Sequence, residues 1–566
     1  MNPAVDSLTE RAIREHWDFL PTAGSRIGLH EYDGRLPDFS AGRIRRRVEE
    51  LHQTLAQLSA LPADPVSDGA TDRDARMDQL NRNLLELFLR RELFNLEEMR
   101  TLETNPQRQV GYIGVGSYVQ RDYAPLPDRL RSATAALRQV PDFLATLDSL
   151  AEPELGEPVR DMAVRAYRGM ASFYETGLSD AAEQCAAIAP DVAADFNAAR
   201  EAASAAVIRF ADRIQARRVR PEFAIGSQLY HRMLSVGEAV DTPLSDVLSI
   251  GQANLEQNLR RLDEAAARVL SQLGAPGKSV REAVAMVSAS HPTADSLIPE
   301  TRDMLEDIRQ ALIDHDIIGL PSEERCQVTE TPSYMRYAFA AMDSPGGLEQ
   351  VATEAFYYVT PVEPDWTPRQ QEEWLSNFNY HTLKIISIHE VYPGHYVHNL
   401  HNRYGHTQHG RELSLINRVA TSYAFTEGWA HYTEEMMLET DYGRDNPALW
   451  LTQLLEALVR NCRYLCSLGM HTQNMTLDEA TRFFQAHAYM EEHPASQEAI
   501  RGTFDPGYLN YTLGKLMLLK LRQDWRRQEG PDYTLRRFHD AALSWGAPPV
   551  PLLRTAMLNA DDGAIL

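Results

Sequence analysis

With 566 residues, 43% of them hydrophobic and 24% charged, the chain has the balance of an ordinary folded protein. Its formal net charge of -24, from 56 Lys and Arg against 80 Asp and Glu, comes with no long basic stripe and excludes a nucleic-acid partner held through its phosphates. No apolar run approaches the length of about 18 residues that a membrane span needs, so no membrane partner is expected.

The opening Met1-Asn2-Pro3-Ala4-Val5-Asp6 has neither a basic n-region nor an apolar core, so a signal peptide is not expected and the cytoplasm is the expected compartment. Arg43-Ile44-Arg45-Arg46-Arg47 is the densest basic spot and reads as a solvated helix face. Asp74–Asn95 places Leu80, Leu84, Leu87 and Phe88 at helical spacing. Gly111-Tyr112-Ile113-Gly114-Val115-Gly116 looks like a nucleotide loop only superficially; with no strand before it and no helix at once after it, it reads as a mobile loop or turn. Thr242-Pro243 opens a periodic stretch that runs to about Leu273.

Breakers at Gly274-Ala275-Pro276-Gly277 and Ser344-Pro345-Gly346-Gly347 interrupt the pattern. The second suggests a boundary between a mostly helical N-terminal body, 1–345, and a catalytic part, 346–566. Phe356-Tyr357-Tyr358-Val359-Thr360 is a short strand signal, and an exposed edge of its sheet would suit an extended peptide. Thr367, Pro368 and Gln370 carry the cap, first-turn proline and N3 glutamine of a helix start, and Thr476 with Glu479 forms a second such pair. Four cysteines are too few for a disulfide scaffold, and Cys462 with Cys466 reads as a buried apolar pair on one helix face.

The run His389-Glu390-Val391-Tyr392-Pro393-Gly394-His395 carries two imidazoles and a carboxylate in close succession. A zinc hydrolase needs a few nitrogen or carboxylate ligands and a further carboxylate to take a proton from the attacking water. His389 and His395 can be ligands and Glu390 the base; Glu427, in Glu427-Gly428-Trp429-Ala430-His431, can be the third ligand. The usual H-E-x-x-H motif keeps both histidines on one helical face. Here the spacing of six turns an ideal helix through about 600° and leaves the rings about 120° apart. Pro393 crowds the His389 carbonyl and cannot donate to it, while Gly394 widens the allowed backbone, so a kink or bulge is expected to return His395 to His389.

These runs, with Ser467–His471 and the Tyr508–Gly514 region, resemble the DUF885 family of bacterial proteins, whose site is similar to that of zincin peptidases, especially the mostly helical oligopeptidases and carboxypeptidases. Gly28–Gly34 and Ile225–Tyr230 extend the likeness into the N-terminal part. The resemblance implies a mainly α, zincin-like, cleft-forming multi-helix fold with a small β-sheet near the metal site. It also implies one Zn(2+) per chain on His389, His395 and Glu427, with Glu390 as general base. Tyr511 matches a tyrosine of the pattern A-Y-K-I-G, although Thr512 stands at its Lys position; His398 stands where H-H-x-Q has Gln.

Tyr511 or His431 is the expected donor to a developing oxyanion, though Tyr511 also suits a core position and His431 suits orienting the glutamate one turn before it. His398, His471, Tyr508, Arg460 and Arg463 are candidates for supporting or substrate-binding roles; Arg460, Arg463 and Arg501 could receive a terminal carboxylate. The expected function is zinc-dependent hydrolysis of peptide bonds in short peptides. A metallohydrolase of another amide or ester, and a zinc-containing binding protein without turnover, are the alternatives.

Overall fold

Helix after helix follows from capped, periodic sequence. A computed structural model describes residues 3–62, 72–332, 336, 339–363, 365–405 and 412–566, and within them it is mainly helical with two small sheets. Thr367 caps helix Pro368–Asn377 and Thr476 caps helix Leu477–His487, each in a reciprocal box with the side chain three residues on. No helix among the described residues is long and apolar enough to cross a membrane.

The chain divides into two compact units. The first comprises Met1–Ile225 with Pro345–Thr353. Its core lies among helices Leu126–Leu150, Glu157–Ser172 and Pro190–Gln215, where small residues such as Ala163, Ala199 and Ala203 admit Tyr167 and Phe210 edge to face, 4.7 Å between ring centres. Strands β1 (Glu154–Gly156) and β2 (Arg218–Arg220) pair in parallel beside them. Two sequence expectations change here. Arg47 is fully buried, its guanidinium held by both oxygens of Glu92 at 2.7 and 2.9 Å, so the basic spot is not wholly a solvated face. Gly111–Ile113 ends a 3-10 stretch, Pro106–Ile113, and Ile113 is buried, its carbonyl bonded by the Tyr174 hydroxyl at 2.5 Å.

The second unit comprises Gly226–Ser344 and Glu354–Leu566. The chain thus passes between the units at 225/226, at 344/345 and at 353/354. The breaker at Ser344–Gly347 marks a short detour: Leu348 N–H bonds the Ile27 carbonyl at 2.8 Å, and Glu349 meets His30 Nε2 at 2.9 Å, which joins Pro345–Thr353 to the first unit.

Within the second unit, helix Leu244–Gln272 runs along helix Pro447–Thr472, with Asn258 donating to Asn461 at 2.8 Å. Helix Tyr423–Glu439 crosses helix Asn510–Glu529 where Gly428 meets Gly514. A Cβ on Gly514 would stand 1.7 Å from the Ala424 carbonyl oxygen, so the approach exists only because both positions lack side chains. The sheet has the order β3 (Gln327–Glu330), β5 (Phe356–Val359), β4 (Ala340–Asp343). β5 is parallel to β3 and antiparallel to β4, with Met342 opposite Tyr357. The aromatic run found in the sequence is thus the central strand, and the outer strands are β3 and β4. Tyr357 reaches Ser387 at 3.3 Å and so joins the sheet to helix Tyr380–Glu390, which carries His389.

Candidate metal centre

Asn379 starts helix Tyr380–Glu390 by accepting from the N–H groups of His381 and Thr382. The helix stops at Glu390, and a second helix begins at His395 and runs to Tyr404. The two are separate helices, a fuller interruption than a bulge within one. Between them the Tyr392–Pro393 peptide is cis, and the Gly394 N–H returns to the Ile388 carbonyl at 3.0 Å. A Cβ at Gly394 would lie 1.7 Å from the His389 carbonyl oxygen, so no other residue fits this return. Trp429 secures it by donating to the Pro393 carbonyl at 3.0 Å.

The return brings the His389 and His395 rings to 4.9 Å between centres, perpendicular to each other. One ligand atom each from His389, Glu390 and His395 lies within 4.8 Å of the others. Glu427 enters from helix Tyr423–Glu439: its Oε2 stands 3.6 Å from His389 Nε2 and 3.5 Å from His395 Nε2. Donors each about 2.1 Å from a tetrahedral ion stand about 3.4 Å apart, so this spacing fits one small divalent cation. Burial alone would raise the Glu427 pKa, yet His395 and His389 hold it well below the usual carboxylate range. Burial works to lower His389, but Glu427 and Glu434 hold it up at about 9. A buried pair of carboxylates drawing positive charge onto an imidazole is an environment that a cation would also satisfy.

Behind the ligands, Glu434 organises a second layer. Its Oε1 meets His389 Nδ1 at 2.7 Å and Arg460 Nη2 at 3.2 Å, and its Oε2 meets His431 Nδ1 at 3.0 Å. A carboxylate can only accept here, so His389 keeps a proton on Nδ1 and presents Nε2 to Glu427 and His395, the nitrogen whose proton a bound cation would replace. Glu434 was not singled out from the sequence. Glu427, His431 and Glu434 are spaced i, i+4 and i+7, which is one helical face, and extending the stripe would have found it.

The remaining candidates separate by position. Glu390 Oε2 accepts the Met342 N–H of β4 at 3.0 Å. Tyr511 lies nearly parallel to the His389 ring, 6.4 Å away, and both burial and Glu427 raise its pKa. His431 is buried and meets Glu434 through Nδ1 at 3.0 Å, and burial pushes its pKa down to about 3. His398 is buried against Phe425 and bonds Asn402 at 3.1 Å. His471 bonds the Gly502 carbonyl at 2.8 Å, a structural contact. Tyr508 is fully buried beside Gly502 and Met470. Cys462 and Cys466 are buried and free of disulfides, apart from the metal candidates.

The model of the family described as "Bacterial protein of unknown function (DUF885)" matches residues 21–557. The chain belongs to the DUF885 family. No curated protein matches it. Among solved structures, a "putative lipoprotein of unknown function" from Shewanella oneidensis is similar at 22% identity and a TM-score of 0.79, over 98% of this chain and 99% of that one. A "putative lipoprotein" from Colwellia psychrerythraea is similar at 16% identity and a TM-score of 0.77, over 98% of each. At these identities the likeness shows that this DUF885 chain shares their fold along almost its full length.

Proposed function

We propose that this DUF885 protein is a zincin-like, zinc-dependent hydrolase of peptide bonds in short peptides. One observation carries the reading: His389 Nε2, His395 Nε2 and Glu427 Oε2 converge at ion-ligand spacing, with the Glu390 carboxylate beside them. A structural metal has no use for such an adjacent, non-ligating carboxylate. When bound, zinc supplies Lewis acidity toward the scissile carbonyl and toward water. Glu390 takes the proton of the attacking water and delivers it to the leaving amine. The Met342 N–H holds one Glu390 oxygen and fixes the direction of the carboxylate. Tyr511, beside His389, donates to the developing oxyanion; loss of one such donor costs about 3 kcal/mol.

The sheet favours a peptide over other amides. In an antiparallel pair, a residue whose N–H points away from its partner sends its carbonyl the same way. Met342 donates to Glu390, away from β5, so the Ala340 and Met342 backbone groups face the outer edge of β4. An extended peptide adding to that edge passes the base.

Metal analysis of purified protein is expected to give about one zinc per chain. Mass spectrometry of a peptide panel, with simple amides and esters alongside, is expected to show peptide cleavage. Turnover of an amide or ester alone makes the protein a non-peptide hydrolase, and zinc with no turnover makes it a binding protein. A bound magnesium or calcium ion that touches neither histidine overturns the site.

A further inference from the structure

Tyr511 sits between the candidate metal centre and a concentration of positive charge. The guanidinium groups of Arg460, Arg463 and Arg501 stand 5.8, 5.2 and 5.8 Å from its ring centre. Two of them are committed elsewhere. Arg463 is gripped by both oxygens of Glu498 at 2.8 and 2.7 Å, and Arg460 by Glu456 at 2.8 Å and Glu434 at 3.2 Å. Their side chains are only 14% and 11% exposed.

Arg501 differs. Its Nε and Nη2 share a single oxygen of Asp505, at 3.4 and 3.3 Å, and Nη2 touches the Tyr423 hydroxyl at 3.3 Å. These contacts are long for charge-assisted bonds, which usually measure about 2.7–2.9 Å. The side chain is 32% exposed, the most accessible of the three. A guanidinium edge matches a carboxylate in two parallel bonds, and that demand is met at Arg463 but not at Arg501.

We propose that Arg501 receives the α-carboxylate of the substrate, so that the site removes a short fragment from the C-terminal end of a peptide. The inference rests on the peptidase reading and narrows its substrate class. From the His389 ring to Tyr511 is 6.4 Å, and from Tyr511 to Arg501 is 5.8 Å. These two steps place His389 and Arg501 at most about 12 Å apart, and an extended residue advances about 3.4 Å, so a carbonyl at the histidines and a carboxylate at Arg501 are bridged by at most about three residues. Hydrolysis consumes one water: its oxygen bonds the carbonyl carbon, the C–N bond breaks, and the fragment leaves as an amine with the proton from Glu390. The neighbouring cations Arg460 and Arg463 add attraction without supplying the fork.

The test compares peptides identical except for a free or amidated C-terminus, with N-acetylation varied separately. The zinc-loaded parent is expected to prefer the free acid by at least about 30-fold in kcat/KM, to ignore N-acetylation, and to release only C-terminal fragments. Arg501→Gln is expected to cut that preference to about 3-fold or less, mainly through KM, while Arg501→Lys recovers part of it. An exposed control, Arg369→Gln, keeps the preference. Equal cleavage of acid and amide by the parent overturns the proposal. Calorimetry with an N-acetyl dipeptide and its amide supplies a readout without turnover. Preferential binding of the acid, lost in Arg501→Gln, supports the Arg501 assignment even if no peptide is cleaved, whereas equal binding of the two overturns it. Failure to cleave any peptide counts against the peptidase reading separately.

Discussion

Glu434 Oε1 stands 2.7 Å from Nδ1 of His389, and both groups are buried. A carboxylate with no proton to give makes Nδ1 the protonated nitrogen and commits Nε2 to the side where His395 and Glu427 converge. The other Glu434 oxygen is met by His431, and Arg460 shares Oε1. Burial would raise the Glu434 pKa, but Arg460 and His431 hold it well below the usual range, so it remains an acceptor. Under the proposed zinc reading, its effect on a bound ion would run through His389.

Glu434→Gln is therefore expected to weaken zinc binding about 10–100-fold without removing a ligand. The amide weakens one of the two carboxylate partners of buried Arg460 while Glu456 stays at 2.8 Å, with an additional loss of stability of about 1–3 kcal/mol. Competition with a chromogenic chelator measures the first effect and urea unfolding the second. Unchanged zinc affinity would show that Glu434 does not set the His389 tautomer.

Glu390→Gln separates binding from chemistry. The amide oxygen can still accept the Met342 N–H, so the β4 contact survives, but the side chain cannot take a proton. Zinc content should match that of the parent while kcat falls at least about 100-fold. Comparable turnover at equal zinc content would remove Glu390 as the base.

Local signals carried the sequence reading wherever the chemistry was local. The Thr367 and Thr476 caps needed only neighbours three residues away, and both formed. Pro393 and Gly394 announced an interruption, and the two histidines met across it. The place of the aromatic strand was not readable in the same way. Phe356–Val359 is central because Gln327–Glu330 and Ala340–Asp343 flank it, and Ala340-Ala341-Met342-Asp343 has no β-branched residue to mark it. The passage between units at 225/226 carries no such punctuation, whereas the breaker at Ser344–Gly347 lies where the chain re-enters the first unit, and the Leu348–Ile27 bond that holds it there joins residues far apart in sequence.

The crossing of helices Tyr423–Glu439 and Asn510–Glu529 gives a prediction of sign. Gly→Ala inside a helix ordinarily stabilises by about 0.5–1 kcal/mol, because alanine loses less backbone freedom. At Gly169, exposed in helix Glu157–Ser172 with nothing within 4 Å of an added Cβ, that gain is expected. At Gly514 the added Cβ meets the Ala424 carbonyl, so the helices must separate, at a cost of about 3 kcal/mol or more, and Tyr511 moves away from His389. Urea midpoints of the two variants should shift in opposite directions. A Gly514→Ala protein as stable as its parent would show that the crossing is looser than its geometry requires.

Glu435 is one of the buried carboxylates expected to make stability depend on pH. It lies beside the site on the same helix as Glu427, with Arg261 at 2.6 Å and Lys515 at 2.5 Å from its two oxygens. Burial alone would raise its pKa; Lys515 and Arg261 together hold it at about 2. The folded value is below the ordinary carboxylate value of 4.5, so the stability Glu435 contributes is fully present above about pH 4.5 and is lost as pH falls toward about 2. Unfolding free energy, measured by urea titration from about pH 6 to about pH 3, should fall with acid across that range. Glu435→Gln should be about 3–5 kcal/mol less stable at neutral pH, because it strands the buried Lys515, and should show a shallower acid slope. Parallel slopes in parent and variant would mean that other carboxylates carry the acid sensitivity.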